Sequence, residues 1–448
     1  MSSLVREGKA TLTLALPLMA GQVSQMLMSL VDTFMIGSIG TVELAASTLA
    51  HTILHLPLMV GVGLAIAVSI KVSQARGANK KEHAKSALRD GFFLSLLFGL
   101  VTFVLCLASL PLLPFMGQDP EVVAEMPVFY LLVSLSMTPA MASMVIRNHS
   151  DAMAKPWPVF WIVLGSVLLN ALLNWLLIFG KWGFPELNLV GAGVATLLAR
   201  FFGLLGLMVW CRSSADLRDW SPKRWFLRPV WKELREFWKL AWPSSLQTSA
   251  ELSAFIFAAF FVGSFGAAAL AAHQVALMCM ATTFMVPLGL SMALTVQVGE
   301  AKGAGTLERF RAIVLSGWGM GLVVSLCGAA VFLWKGEYLA AFFLTEPAPL
   351  QIAVSLFTIG AIFQIADHSQ ILSSGVLRGV DDVRMPTLIL GFSHWLIGIP
   401  LGLYLALHLG YEVNGIWWGL CAGLVTSAIL LGRRAWKMMG AGKLISGD

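Results

Sequence analysis

Charge is scarce in this chain. Asp, Glu, Lys and Arg together make up 12% of 448 residues, about half the share found in an ordinary soluble domain. Hydrophobic residues supply 58% and the mean hydropathy is +0.80. A single soluble core rarely grows beyond about 250–300 residues, so a water-soluble fold is excluded. Cysteine is also sparse. The five, Cys106, Cys211, Cys279, Cys327 and Cys421, are odd in number and lie in or beside apolar runs. None forms a CxxC or Cys/His cluster, which excludes a disulfide framework and a zinc site. The first residues, "MSSLVREGKATLTLALPLMAGQ", lack the short apolar core and small-residue cleavage pattern of a signal peptide. They read as a retained first helix. No nucleic-acid partner is expected from the pI of about 9.1, because basic residues also hold cytoplasmic loops inside a cell.

What the chain does have is apolar runs of helix-spanning length. They fall at 11–37, 45–70, 89–114, 127–147, 158–180, 190–211, 239–263, 268–296, 312–334, 350–376, 386–408 and 412–433. Each can cross the ~30 Å hydrocarbon layer as a helix, which satisfies its own backbone hydrogen bonds in lipid. The expected fold is an all-α polytopic membrane protein with twelve transmembrane helices. With the N-terminus inside, 27 of the 30 basic residues lie on the inner side; Lys181 and Lys335 fall outside and Arg200 within a helix. That asymmetry predicts cytoplasmic termini. Trp157, Trp182, Trp334 and Trp436, near segment ends, fit an interfacial belt.

One long polar stretch, "RSSADLRDWSPKRWFLRPVWKELREFW" at 212–238, divides six segments from six. It reads as a basic cytoplasmic linker with an amphipathic interfacial helix near 229–238. The expected domains are a lobe at 1–211, this linker, a lobe at 239–435 and a tail at 436–448. The halves repeat. At a shift of 226, "LALP" (14–17) meets "LAWP" (240–243) and "FMIGSIG" (34–40) meets "FFVGSFG" (260–266). The register holds to "VGVGLAIAVSIKVSQARGA" (60–78) against "VPLGLSMALTVQVGEAKGA" (286–304). Six segments per repeat is even, so both halves enter the membrane in the same sense. This predicts two six-helix bundles related by a parallel repeat, with a central cleft and alternating access.

Three acids lie well inside apolar segments: Asp32, Glu251 and Asp367. Such an acid costs about 2.5–3.5 kcal/mol near a helix centre, so each needs a proton, a metal ion or an organic cation beside it. Helical spacing puts Gly21, Gln25, Met28, Asp32 and Met35 on one face; Ser244, Gln247 and Glu251 on another; and Gly360, Gln364, Asp367 and Ile371 on a third, with His368 adjacent. A lone acid of this kind can be a hydrogen-bonding strut between helices; three on repeated halves point to exchangeable cations. Asp32 aligns with Ala258 and Glu251 with Gln25, so the halves have specialised separately. Arg200 could neutralise an acid or snorkel, and Asn170 and Asn174 share a face and could either pack between helices or ligate a cation or an organic molecule. His51, His55, His273 and His394 read as packing and hydrogen-bonding residues, and many of the 21 methionines could line an adaptable cavity.

At "LVDTFMIG" (30–37), "NALLNWLLIFGKWGFPELNLVGAGVAT" (170–196), "LAAHQVAL" (270–277) and "IADHSQILSSGVLRG" (365–379), the chain resembles the multidrug and toxic compound extrusion (MATE) transporters, NorM-like branch. The likeness spans essentially the full length. It implies a V-shaped pair of bundles exporting cationic lipophilic small molecules in exchange for Na⁺ or H⁺, in a bacterial inner membrane, with no other cofactor and as a monomer. It implies Asp32 as the drug- or proton-binding acid of the N-terminal lobe, assisted by Asn170. Glu251 and Asp367 would be the coupling-cation site; the helical faces described above offer Gln247, Gln364 and His368 as polar support around it, and Gln25, Asn170 and Asn174 as the other polar support, on the N-terminal helices that carry Asp32. A tyrosine common in that family one turn before the helix-10 acid is Phe363 here, which removes an oxygen ligand from a Na⁺ site.

The nearest rival is a lipid-linked precursor flippase, which needs basic cleft residues for phosphates; only Arg200 lies deep in the membrane here. An integral-membrane enzyme would need clustered acids or a His/Asp pair, for which "GVDDVR" (Asp381, Asp382) and "HSD" (His149, Asp151) are the candidates. Both read as polar inner-loop turns.

Overall fold

The computed structural model describes residues 2–225 and 230–440. The N-terminal Met1, part of the expected linker (226–229) and most of the expected tail (441–448) lie outside them. Twelve helices are long and apolar enough to cross a membrane, and no strand occurs among the described residues. They are α1 Ser2–Gly37, α2 Thr41–Gly77, α3 Lys81–Ser109, α4 Pro120–Ala152, α5 Pro156–Ile178, α6 Asn188–Ser213, α7 Trp231–Gly263, α8 Ala267–Gly303, α9 Leu307–Phe343, α10 Pro347–Gly379, α11 Arg384–Leu407 and α12 Glu412–Gly440. Every expected segment is a helix. Most run further than their apolar stretch, because a helix keeps its hydrogen bonds when its flanks leave the hydrocarbon and hydropathy sees only the lipid-facing part.

Two expectations are corrected. Of the segment expected as a separate interfacial helix near 229–238, residue 229 lies outside the described residues, and from Trp231 onward it is the first turns of α7. Phe237 is fully buried and would meet a Cβ at Gly91 of α3, and Trp238 stacks on Phe98 at 5.1 Å. The preceding linker is docked too. Trp225 packs edge-on against Phe92 at 5.0 Å, and Leu217 is fully buried. Lys81 bonds Asp219 at 3.2 Å, and that ammonium holds the Asp219 carboxyl below the usual carboxylate range. The second correction concerns "HSD": His149, Ser150 and Asp151 are not in a loop but in the last turns of α4, all buried.

The repeat is visible in how helices end. The last residues of α2 and α8 close with the same pair of bonds: Lys80 N–H to Ala75 O at 2.8 Å and Asn79 N–H to Arg76 O at 3.1 Å, against Thr306 to Ala301 and Gly305 to Lys302, both at 3.0 Å. Asn79 and Gly305, 226 residues apart, both take the left-handed conformation (φ 54° and 68°) that such a cap requires.

Contacts group the chain into two compact units, one of residues 1–19 with 246–448 and the other of 20–245. Helices α1 and α7 each belong partly to both. The changeovers follow Pro17 and Pro243 by two residues, again 226 apart. In the first unit the start of α1 packs on the C-terminal helices. Thr11 Oγ1 donates to Gln297 Oε1 at 2.5 Å, Arg309 meets Glu7 at 3.3 Å, and Met19 closes over Gly289. The core of this unit joins α7 to α12 around Trp417 and Phe357. That of the other joins α1 to α6 around Phe129 and Tyr130. Helix α11 carries a wide π-helical stretch, Phe392–Gly398. Beyond it Gly398 and Gly402 lie against Gly419 and Gly415–Gly423 backbone of α12, a close approach that only glycine permits.

Candidate functional site

In the unit containing the C-terminal helices, α7 and α10 run antiparallel and match in steps of four residues. Gln370 Nε2 donates to Glu251 Oε1 at 2.7 Å. One turn away, Gln247 Nε2 donates to Ser374 Oγ at 3.2 Å. Ser427 of α12 donates to Gln370 Oε1, so Gln370 ties three helices together and points its amide N–H at the glutamate. Trp395, in the π-helical stretch, donates its ring N–H to the carbonyl of Ala250 at 3.1 Å, which fixes the backbone beside Glu251. Asp367, Gln370, Ser374 and Arg378 recur at i+3 and i+4 and form one polar stripe down α10.

Asp367 is half-buried on this stripe and lies within electrostatic reach of Glu251. It accepts no side-chain hydrogen bond among the described residues. Arg378, further along the stripe and 8% exposed, also feels the Glu251 charge. Gln247 keeps a buried carbonyl oxygen, Oε1, without a partner. The two carboxylates are hard oxygen donors, the kind that suits a proton or an alkali cation, and the Gln247 amide lies one turn along α7 from Glu251. Among the described residues there is no group of three or more His, Cys, Asp or Glu that could hold a metal ion.

The other expected supports of this site face elsewhere. Gln364 donates to Thr283 Oγ1 of α8 at 2.5 Å, under the open side of Gly328 on α9. His368 Nδ1 pairs with Ser325 Oγ of α9 at 3.0 Å. Both brace α10 against its neighbours. Phe363 packs on Phe255 and Trp417 at 6.0 and 5.8 Å. Gln370, Ser374 and Ser427 were missed by the sequence reading, which followed the polar face of α10 upward from Asp367. The signal was present: Gln370 is Asp367 + 3 and Ser374 is four beyond it.

In the unit of residues 20–245, Asn174 Nδ2 of α5 donates to Asp32 Oδ1 of α1 at 2.5 Å and reaches Asn170 Oδ1 at 3.4 Å. Asn174 is therefore the direct partner, and Asn170, expected in that role, stands behind it. Both amides are buried, and Asn170 Nδ2 and Asn174 Oδ1 have no hydrogen-bond partner among the described residues. Arg200 of α6 donates to Ser136 Oγ of α4 at 2.8 Å and lies within electrostatic reach of Asp32 and His51. Gln25 is exposed, whereas its neighbour Gln22 accepts from Arg147 at 3.1 Å. The two acid sites thus differ. Asp32 has a donor and a guanidinium nearby, while Asp367 has another carboxylate.

The enzyme candidates are occupied structurally. Asp381 pairs with Lys302 at 2.9 Å and Asp382 pairs with Arg434. His149 Nε2 contacts Ser221 Oγ at 3.3 Å, and Asp151 faces Arg147 at 3.8 Å.

The MatE family model matches at residues 17–176 and again at 243–404, two stretches whose starts are 226 apart. A probable multidrug resistance protein NorM from Agrobacterium fabrum is 31% identical over 428 residues, covering 94% of this chain and 92% of the relative. The crystal structure of a mutant of the Vibrio cholerae MATE transporter VcmN superposes with a TM-score of 0.91 at 22% identity, covering 99% of this chain and 100% of the other. A Pyrococcus furiosus transporter of the MOP superfamily superposes at 0.87 with 20% identity, covering 98% and 97%. That protein is described as having a binding pocket of reverse polarity that suggests a different function. With the family model spanning most of the sequence and relatives matching from end to end, the chain belongs to the MatE family of membrane transporters, in its NorM-like branch.

Proposed function

We propose that this transporter exports lipophilic organic cations in exchange for inward Na⁺ or H⁺, from a bacterial cytoplasmic membrane with both of its termini in the cytoplasm. The observation that carries the proposal is the pairing of Glu251 with Asp367. Gln370, which bonds Glu251, lies one turn from Asp367 on α10, so the two carboxylates come within electrostatic reach of each other, and Asp367 accepts no hydrogen bond among the described residues. Like charges so placed repel, and a cation between them relieves the repulsion. The fold by itself leaves the sign of the cargo open, as the reverse-polarity neighbour illustrates. The residues supply the sign: three acids lie in mid-helix against Arg200 and the nearly buried Arg378. The names of the NorM relatives support multidrug cargo.

In the cycle we envisage, the coupling ion enters down its gradient, with the membrane potential contributing ~2.3 kcal/mol per charge per 100 mV. It neutralises Glu251 and Asp367, with Gln370 holding Glu251 in place, and favours the state that releases drug outside. Departure of the ion to the cytoplasm leaves the acids free to attract the next cation. Asp32, oriented by Asn174, takes the drug or a proton in the other unit. Coupling follows because ion and drug favour different states, the condition any such exchange must meet.

The reading is tested by ethidium binding to the purified protein. Saturating Na⁺, or acid in its absence, should displace ethidium from the wild type and leave binding to the Asp367→Asn/Glu251→Gln variant unchanged. Equal displacement in both proteins would overturn the assignment of the ion to these carboxylates.

A further inference from the structure

Helices α9, α10 and α12 enclose an open groove of about 530 Å³ at the end of the bundle that carries the C-terminus. Its walls include Trp318, Leu322, Leu372, Trp436, Arg433 and Lys437. The space comes from small residues. Gly432 of α12 has only Ser373 Oγ within reach, at 3.9 Å, and Gly321 of α9 lets Leu372 of α10 lie flat against it. The volume falls within the range of ordinary ligand pockets.

The lining is divided along the membrane normal. Leu322 and Leu372 are apolar and nearer mid-helix, whereas the indoles of Trp318 and Trp436 stack with centroids 6.4 Å apart and planes 10° from parallel. Tryptophans at helix ends sit at the headgroup level of a bilayer. The two cations sit beside them. Arg433 and Lys437 are four residues apart on one face of α12, where like charges repel. Both are exposed, and neither has an ion-pair or hydrogen-bond partner among the described residues. Their neighbour Arg434, outside the groove, is paired with Asp382. No acid lines the groove.

We propose that this groove is a binding site for an anionic glycerophospholipid, with an acyl chain along Leu322 and Leu372 and the phosphate between Arg433 and Lys437. Any bilayer-facing groove holds acyl chains. The specific claim is selection of the headgroup, because an anion placed between two unpaired cations also relieves their mutual repulsion. Basic pockets between helices at the membrane interface bind anionic headgroups in this way. Arg433 and Lys437 lie six and ten residues beyond Ser427 on α12, and the proposal does not depend on the transport reading.

The test is native mass spectrometry of the full-length protein, stripped of lipid and titrated with phosphatidylglycerol or with phosphatidylcholine of the same chains. The wild type should favour phosphatidylglycerol at least tenfold. Arg433→Gln and Lys437→Gln should each remove roughly fivefold of that preference and leave melting in detergent unchanged, since neither side chain has a protein partner. A control, Lys81→Gln/Lys85→Gln, also removes two lysines four apart, but these are already paired with Asp219 and Glu82. It should keep the preference. Leu322→Trp, which fills the groove, should weaken both lipids. A double variant that retains the wild-type preference would overturn the proposal. So would a wild type that binds the two lipids equally, or variants that change only the oligomeric state, which would mark the face as a contact between copies.

Discussion

Asp32 and Asp367 are both half-buried acids on membrane-spanning helices, but a donor meets only the first among the described residues. A hydrogen bond to a charged group is worth about 1.5–3 kcal/mol. Asn174→Ala should therefore weaken Asp32-dependent ethidium export by roughly tenfold or more, measured as the ethidium concentration for half-maximal efflux. Asn170→Ala should cost clearly less, because its amide reaches Asp32 only through Asn174; equal losses would contradict the geometry. On the other site, Gln370→Ala removes the donor to Glu251 and the acceptor of Ser427. We expect a loss of about 1–3 kcal/mol in stability, read as a lower melting temperature, together with a higher Na⁺ or proton demand for half-maximal export. A lowered melting point with unaltered ion demand would reduce Gln370 to a strut. The acids themselves were legible in the sequence because a charge in an apolar run stands out. Their partners were not, because Gln370, Ser374 and Ser427 are unremarkable polar residues until the antiparallel register of α7, α10 and α12 brings them together.

Helices are where sequence and structure agree best, and their ends are where they part. All twelve spans follow from hydropathy. The continuation of α7 back to Trp231 and of α4 through His149–Asp151 does not, since polar flanks, mostly exposed in α7 and buried in α4, look like loops to a hydropathy reading. The π-helical stretch of α11 has no sequence signal that we used. It leads into the glycine contact with α12, where a side chain on Gly419 would enter the backbone of Gly402 and Gly398. Gly419→Leu should destabilise the protein by at least about 1–3 kcal/mol in a detergent melt, whereas Gly319→Ala on α9, with open space around it, should be neutral or stabilising. The paired prolines make an element-scale prediction as well. Pro17 and Pro243 each remove a backbone N–H just before α1 and α7 pass from one unit to the other. Pro17→Ala and Pro243→Ala should raise the melting temperature and slow turnover. Higher melting with wild-type turnover would assign the prolines to packing alone.

At the scale of the whole molecule, the 226-residue repeat is written three times over: in matched sequence, in the identical caps of α2 and α8, and in the two matches to one family model. The polar residues break it. One half carries Asp32 with Asn174 and Arg200; the other carries Glu251 and Asp367 in reach of each other. Repetition of the scaffold with divergence of the charges would suit the exchange proposed above, in which ion and drug favour different states.

The most direct measurement of that account follows ethidium in inverted vesicles containing the wild type or Asp367→Asn. A Na⁺ jump at fixed pH is applied first, then a pH jump without Na⁺. The account predicts ethidium movement in response to one of the two jumps, and its loss in Asp367→Asn with membrane insertion retained. Gradient-driven movement that persists undiminished in Asp367→Asn would contradict it.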